Sequence, residues 1–473
     1  MLIWFVVLYL MVSIGIGLYA ATRVHNTHDY VVAGRRLPLA IVTATVFATW
    51  FGAETVLGIS AKFTQEGLKG VVEDPFGSSL CLIFVGLFFA AKLYRMNLLT
   101  IGDYYRSRYN RTVEVSVSLA IIASYLGWVA AQITALGLVF SIVSQGAISQ
   151  TDGMLIGAAI VLGYTLFGGM WSVALTDFFQ MIIIVTGMVY LAWLVSGMAG
   201  GADVVVAHAS AAGKLEFWPK LELRDVLAFV GAAVTMMLGS IPQQDVFQRV
   251  MSARTEKIAV RGAVLGGGLY FLFAFIPMFL AYSATLIDPK MVGELMETDT
   301  QLILPTLIMN HTPVFAQVMF FGALLSAIMS TASGTLLAPS VTFTENILKG
   351  IIGPQSDRHF LWTMRGVVVC FAIAVTLFAL NSESGIYEMV SNAYKITLVA
   401  AFVPLVFGLY WKRANTQGAL FAIIMGMVSW LLLETFAPEA IMPPQLVGLL
   451  MSIAGMVLGS LLPSLTRSAH HAR

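Results

Sequence analysis

Ser330 and Thr331 are adjacent hydroxyls inside a long apolar stretch. Such a pair can bond back to carbonyls one turn earlier, or it can offer oxygen to a hard cation such as sodium. Glu54 and Lys395 also interrupt apolar stretches, where an ionised group needs a partner or a watery cavity. Glu54 can accept a hydrogen bond from a solute hydroxyl, attract a cationic solute or pair with Lys395. Lys395 can pair with Glu54, or with Glu388 two turns earlier; it can also bind a solute carboxylate or move protons. Asp177 follows the Gly168-Gly169 turn and suits a helix N-terminus, where free amides favour negative charge. Trp50, Trp128 and Gln132 can line a cavity, together with Gln243 and Gln244. Aromatic faces attract a quaternary ammonium, whereas amides suit carbonyl, carboxylate or hydroxyl groups. Plain core packing is the competing role for either tryptophan.

The elements that hold these residues are membrane spans. Of 473 residues, 58% are hydrophobic and 11% charged, against roughly 25% charged in a soluble domain. Mean hydropathy is +0.86. The apolar runs predict about thirteen crossings: 2–21, 39–67, 72–96, 112–146, 150–167, 171–199, 224–251, 257–287, 314–347, 359–380, 385–411, 417–436 and 443–465. Two of them are broken, at Trp50-Phe51-Gly52-Ala53-Glu54 and at Gly239-Ser240-Ile241-Pro242-Gln243-Gln244-Asp245. Irregular backbone survives in a membrane only where protein or a cavity covers it, and paired broken helices point to the ligand site of a secondary transporter.

Charge supports the crossings. Loops after odd-numbered spans, with the span ends and the C-terminal tail, hold 19 of the 26 lysines and arginines, Arg249 among them. The positive-inside rule then predicts an outside N-terminus and a cytoplasmic C-terminus, in a plasma membrane of the bacterial inner-membrane type. The first segment reads as a span rather than a signal peptide, because its apolar run is long and lacks a basic start. Cys81 and Cys370 both fall in spans and make no disulfide framework. No loop exceeds about 30 residues and no phosphate-binding Gly-Lys-Ser/Thr loop is present, so energy for uphill transport has to come from an ion gradient. The seven histidines show no metal spacing, which ranks an intramembrane enzyme last. No nucleic-acid partner is expected.

With residues 1–38 as a peripheral first helix and loop, 39–199 and 224–411 form two sets of five spans, and 412–473 adds C-terminal helices. An odd number of spans per set forces the second to be inverted, with the solute site between the two breaks.

Several stretches resemble the sodium/solute symporter family. Gly168-Gly169-Met170-Trp171-Ser172-Val173-Ala174-Leu175-Thr176-Asp177-Phe178-Phe179-Gln180 resembles its Gly-Gly…Thr-Asp-x-x-Gln signature, and Tyr30-Val31-Val32-Ala33-Gly34-Arg35 its early loop. Gln244-Asp245-Val246-Phe247-Gln248-Arg249, Ala327-Ile328-Met329-Ser330-Thr331 and Gly408-Leu409-Tyr410-Trp411-Lys412-Arg413 follow in order. The resemblance implies an all-α fold with a leucine-transporter-type five-plus-five inverted repeat, and sodium-coupled uptake of a small organic solute by alternating access. It also implies a sodium site of the Ser330 and Thr331 hydroxyls with the carbonyls of Ala48, Phe51 and Ala327. In some members the residue matching Asp177 joins two serines in a further ion site; here Ser333 matches one, but Gly334 replaces the other.

Ala48-Thr49-Trp50, Met237-Leu238-Gly239-Ser240-Ile241-Pro242 and Phe247-Gln248-Arg249-Val250 look most like the choline branch. Ile303-Leu304-Pro305-Thr306-Leu307 is shared with pantothenate carriers, and proline and sialic-acid carriers stay open. Against choline, Gln243 stands in place of a tryptophan and Ser333 in place of an aspartate. A proton-coupled carrier on the same scaffold, titrating Lys395, Glu54 or Asp177, is the alternative, and a non-transporting solute sensor the next.

Overall fold

The computed structural model describes residues 2–463, so the end of the 412–473 segment lies outside the described residues. Among these the chain is helical, with one isolated bridge between Leu37 and Ala253. Ten helices are long and apolar enough to cross a bilayer, or eleven with one bent pair joined. With the short α2 and the bent pair α6 and α7 added to those ten, the helices in chain order are α1 (Leu2–Ala21), α2 (Leu39–Trp50), α3 (Glu54–Met96), α4 (Arg111–Val143), α5 (Gln150–Met198), α6 (Leu223–Gly239), α7 (Gln244–Ser252), α8 (Glu256–Ile287), α9 (Val314–Ile352), α10 (Asp357–Leu380), α11 (Ile386–Tyr410), α12 (Thr416–Phe436) and α13 (Pro444–Leu461). The bent pair is α6 with α7, at 45°.

The thirteen expected crossings therefore do not emerge as thirteen separate helices. Expected spans 150–167 and 171–199 run together as the 49-residue α5. At 1.5 Å per residue that is about 74 Å, more than twice a bilayer's apolar thickness. Gly169, at φ 49° and ψ −137°, breaks its course. α3 likewise contains a non-helical residue, Asp74, at φ −140° and ψ 121°.

The two broken spans run in opposite directions. Leu37, just before α2, sits beside the chain leaving α7: its N–H donates to Ser252 O at 3.0 Å and its carbonyl accepts from Arg254 N at 2.9 Å. One broken span thus enters where the other leaves. α2 lies against α8 because Gly262 and Gly266 of α8 face Val42 and Val46 of α2; a Cβ at 266 would come 2.5 Å from Val46 Cγ1. Small residues of this kind let membrane helices approach closely.

Gly169 has two constraints, a left-handed φ and a collision of any Cβ with the Tyr30 backbone and ring. Gly169→Ala is expected to cost about 1–3 kcal/mol, read as a lower melting temperature of the purified protein. Gly163→Ala, on the same helix with open space around it, is the control that should melt as the wild type does. Equal melting of both variants would remove the hinge role.

Candidate functional site

The first break is built by the chain around Gly52. α2 ends at Trp50, and Phe51 leaves helical geometry at φ −88° and ψ 72°. Phe51 N still reaches Phe47 O at 3.0 Å, but the other carbonyls of this last turn are the orphans every helix end leaves. Thr331 of α9 donates to Thr49 O at 2.7 Å and Thr55 to Trp50 O at 3.2 Å. The Gly52 carbonyl accepts from both Thr55 N and Val56 N. A side chain at 52 would meet Glu54 Oε2 at 2.5 Å and Thr331 Oγ1 at 2.6 Å, so only glycine lets these two oxygens converge on the break. Ala48, Phe51 and Ala327 are fully buried nearby in the same helices.

Glu54 does not pair with Lys395. α4 presents Trp128 and Gln132 one turn apart. The Trp128 Nε1–H donates to Glu54 Oε1 at 3.1 Å and the Gln132 amide to Oε2 at 2.7 Å. Gln132 also accepts from Ala53 N at 3.0 Å, closing the new helix start. Lys395 pairs instead with Glu434 of α12 at 3.1 Å. The expected Glu388 partner is on the exposed side of α11, so the lysine's nearest acid comes from a neighbouring helix.

Asp177 is not a helix cap either. It lies two turns beyond Gly169, inside α5, and its carboxylate accepts from Ser330 at 2.6 Å, from Thr49 at 3.2 Å and from Thr45. Arg249 was counted above among loop and span-end charges, yet it is 1% exposed. Its guanidinium donates to Thr49 Oγ1 at 2.5 Å, to Asp245 O at 2.8 Å and to Thr45 O at 3.4 Å. Thr49 therefore relays between arginine and aspartate. A low-dielectric interior forces this arrangement, since a lone buried charge is costly. Ser333 bonds back to Ser330 O at 3.0 Å, and Gly334 leaves the room that the Arg249 guanidinium fills.

At the second break, Thr397 of α11 donates to Gly239 O at 2.7 Å. Gln243 donates to Ser124 at 2.9 Å and to Thr397 at 3.3 Å. Gln244 accepts from Ile101 N at 2.8 Å. These amides tie the break to its neighbours.

Between the breaks stands an aromatic wall. Trp50 meets Trp128 edge-on at 5.5 Å and stacks with Tyr394 at 6.1 Å; Trp128 lies 5.5 Å from Tyr394 and stacks with Tyr125 at 6.0 Å. The Tyr125 hydroxyl donates to Asp245 at 2.5 Å. Trp50 Nε1, the Tyr394 hydroxyl, Asp245 Oδ2 and Ser240 Oγ are buried without a partner among the described residues; the first and third lie near each other outside hydrogen-bonding geometry. Buried polar groups are normally paired, so these four atoms are candidates for contact with a polar solute.

Thr45, Thr49, Tyr125, Asp245, Arg249 and Tyr394 were not singled out from the sequence. Two signals were there to read: threonines one turn apart in an apolar helix, and Asp245 and Arg249 one turn apart beside a break.

The model of the sodium:solute symporter family matches residues 30–426. The high-affinity choline transporter 1 of Drosophila melanogaster is 26% identical over 438 residues, covering 89% of this chain and 69% of that protein. Its Homo sapiens counterpart is 27% identical, covering 90% and 75%. A solved structure of a Na+-coupled sialic acid symporter, substrate-bound and outward-open, superposes with a TM-score of 0.84 at 20% identity, over 98% of this chain and 97% of that one.

Arg249→Met is expected to remove about 3–5 kcal/mol of stability, because it strands buried carboxylates. Adding Asp177→Asn should return part of that loss. Thermal melts of the two single variants and the double variant test this; an R249M protein as stable as wild type would show that the ion network is dispensable.

Proposed function

The chain belongs to the sodium:solute symporter family, and from that premise we propose that the solute carried with sodium is a small organic cation bearing an ammonium group. The observation that carries this reading is an excess of buried acidic side chains over basic ones. Glu54, Asp74, Asp177 and Asp245 are buried in the bundle, with Arg249 the one buried base among the described residues. Ionised carboxylates in an apolar slab call for cations, and a sodium ion plus an organic ammonium supply two. The aromatic wall of Trp50, Trp128 and Tyr394 offers faces to an ammonium, with Glu54 at its edge. Of the amides that would favour a carboxylate or sugar, Gln132 is engaged with Glu54 and Gln243 with Ser124 and Thr397, while Gln244 accepts from Ile101 N and keeps its Nε2 without a partner among the described residues. The curated choline relatives fit this chemistry.

In this reading sodium sits between α2 and α9, held by the Ser330 and Thr331 hydroxyls and the carbonyls of Ala48, Phe51 and Ala327. The closeness of Thr331 to Thr49 and Gly52 supports it. Asp177 and Ser333, proposed as a further ion site, share their surroundings with the Arg249 guanidinium, which favours a single sodium. Ion and solute then lie within one turn of each other on the same break. Binding of either stiffens the chain the other uses, and the coupling must be reciprocal. The bundle is integral to the membrane, with the N-terminus outside and the C-terminus in the cytoplasm.

Choline should raise the melting temperature of the purified protein only when sodium is present, and amino acids, carboxylates and sugars should not. Ser330→Ala with Thr331→Ala should abolish the sodium dependence. Stabilisation by a sugar or carboxylate alone would overturn the cation reading, and an intact sodium dependence would remove the two hydroxyls from the ion site. A fluorescent protein fused at the C-terminus should fold and fluoresce in the cytoplasm; a dark fusion with full expression would reverse the orientation.

A further inference from the structure

Two buried carboxylates border the aromatic wall, and their surroundings differ. On α4, Tyr125 and Trp128 are three residues apart and share a face; their rings stack at 6.0 Å. Glu54 lies beyond the Trp128 indole N–H, and Asp245 beyond the Tyr125 hydroxyl. Glu54 uses both oxygens, one on Trp128 and one on Gln132. Asp245, also buried, uses one; its Oδ2 has no partner among the described residues.

Asp245 is held in place at two points. It lies in the first turn of α7, just past the second break. Its amide donates to the Tyr125 hydroxyl at 2.9 Å, and that hydroxyl donates to its Oδ1. Oδ2 is therefore an acceptor already fixed in position. Arg249, one turn along, is near enough to offset the charge, but its hydrogen bonds go to Thr49 Oγ1 and to the Thr45 and Asp245 carbonyls. With its charge offset and one oxygen unused, Asp245 calls for a hydrogen-bond donor rather than for another full cation.

The groups around that oxygen narrow the choice. Trp50 Nε1–H and the Tyr394 hydroxyl are also buried without a partner among the described residues, and both come near Asp245. Two donors and one acceptor therefore lie around one place. A hydroxyl suits this set, since it donates once and accepts through two lone pairs. A methyl group leaves all three unpaired. A carboxylate accepts from the two donors but sets a second negative charge against Asp245, and like charges in contact are a strong bar to the wrong partner.

We propose that Asp245 sets the class of solute: the organic cation carries a hydroxyl that donates to Asp245 Oδ2, and ammonium solutes that carry a carboxylate are turned away at this residue. This rests on the organic-cation reading above, with the ammonium on the Trp128 side near Glu54. Specificity then comes from a repulsive element as much as from an attractive one.

Competition against radiolabelled choline on the purified full chain in sodium tests it. With wild type, tetramethylammonium, which lacks the hydroxyl, should compete about 10- to 100-fold more weakly than choline, and glycine betaine should not compete. Asp245→Asn keeps an acceptor and adds a donor, so it should let glycine betaine compete and reduce the advantage of choline over tetramethylammonium severalfold. Tyr125→Phe keeps the ring and removes the hydroxyl that fixes the carboxylate; it should also shrink the choline advantage, and it covers the case in which D245N does not fold. A merely structural Asp245 would lower stability on substitution and leave these ratios as in wild type. Unchanged ratios in every variant that folds, or tetramethylammonium or glycine betaine binding wild type as tightly as choline, overturn the role of Asp245 alone. Absence of any quaternary-amine binding by wild type overturns the cation reading and this inference with it.

Discussion

A guanidinium buried between carboxylates joins the two broken spans. Arg249 belongs to α7, the continuation of the second break, and Thr49 to the last turn before the first. Through that threonine the arginine reaches Asp177 of α5, and through Asp177 it reaches Ser330 of α9. Four helices thus converge on one hydrogen-bonded knot. In water such a network would add little, because hydration competes with every contact. In the apolar interior each group is costly unless all are satisfied together, so the knot fixes which helices must be neighbours. The remaining packing, including the glycine seam between α2 and α8, follows from that choice.

The breaks convert helical backbone into ligand. A continuous helix spends its carbonyls on its own amides; ending α2 at Trp50 releases a turn of them beside Thr331. Two residues further on, Gly52 lets Glu54 fold back toward the same place. In the proposed reading, the oxygens for the ion and the carboxylate for the ammonium share a few residues of one turn. Coupling between two ligands needs a shared element whose arrangement both bias, and this turn is short enough to serve. Gln132 contributes by holding both the Glu54 carboxylate and the Ala53 amide, which links α4 to whichever geometry the turn adopts.

α11 connects this centre to the far end of the bundle. Its face carries Tyr387, Ser391, Tyr394 and Thr397 in succession, meeting Gly70, Glu73, the aromatic wall and the second break.

Much of this was legible in the chain. Length and hydropathy of each run identified a membrane bundle, because crossing lipid imposes a local rule on about 20 consecutive residues. Glycine and proline placed both breaks, and an acid and a hydroxyl pair in apolar surroundings marked Glu54, Ser330 and Thr331 as residues with a task. The Gly168-Gly169 turn, between the expected spans 150–167 and 171–199, also marked the place where Gly169 breaks the course of α5. Partnership was the thing the sequence withheld. Lys395 was matched with acids near in sequence or function, and its true neighbour is Glu434; Arg249 counted as a loop charge and is buried. Asp177 takes hydroxyls from residues 132 and 153 positions away. Hydropathy is a property of neighbours along the chain, whereas a hydrogen bond between helices depends on rotation and depth that only the packed bundle sets.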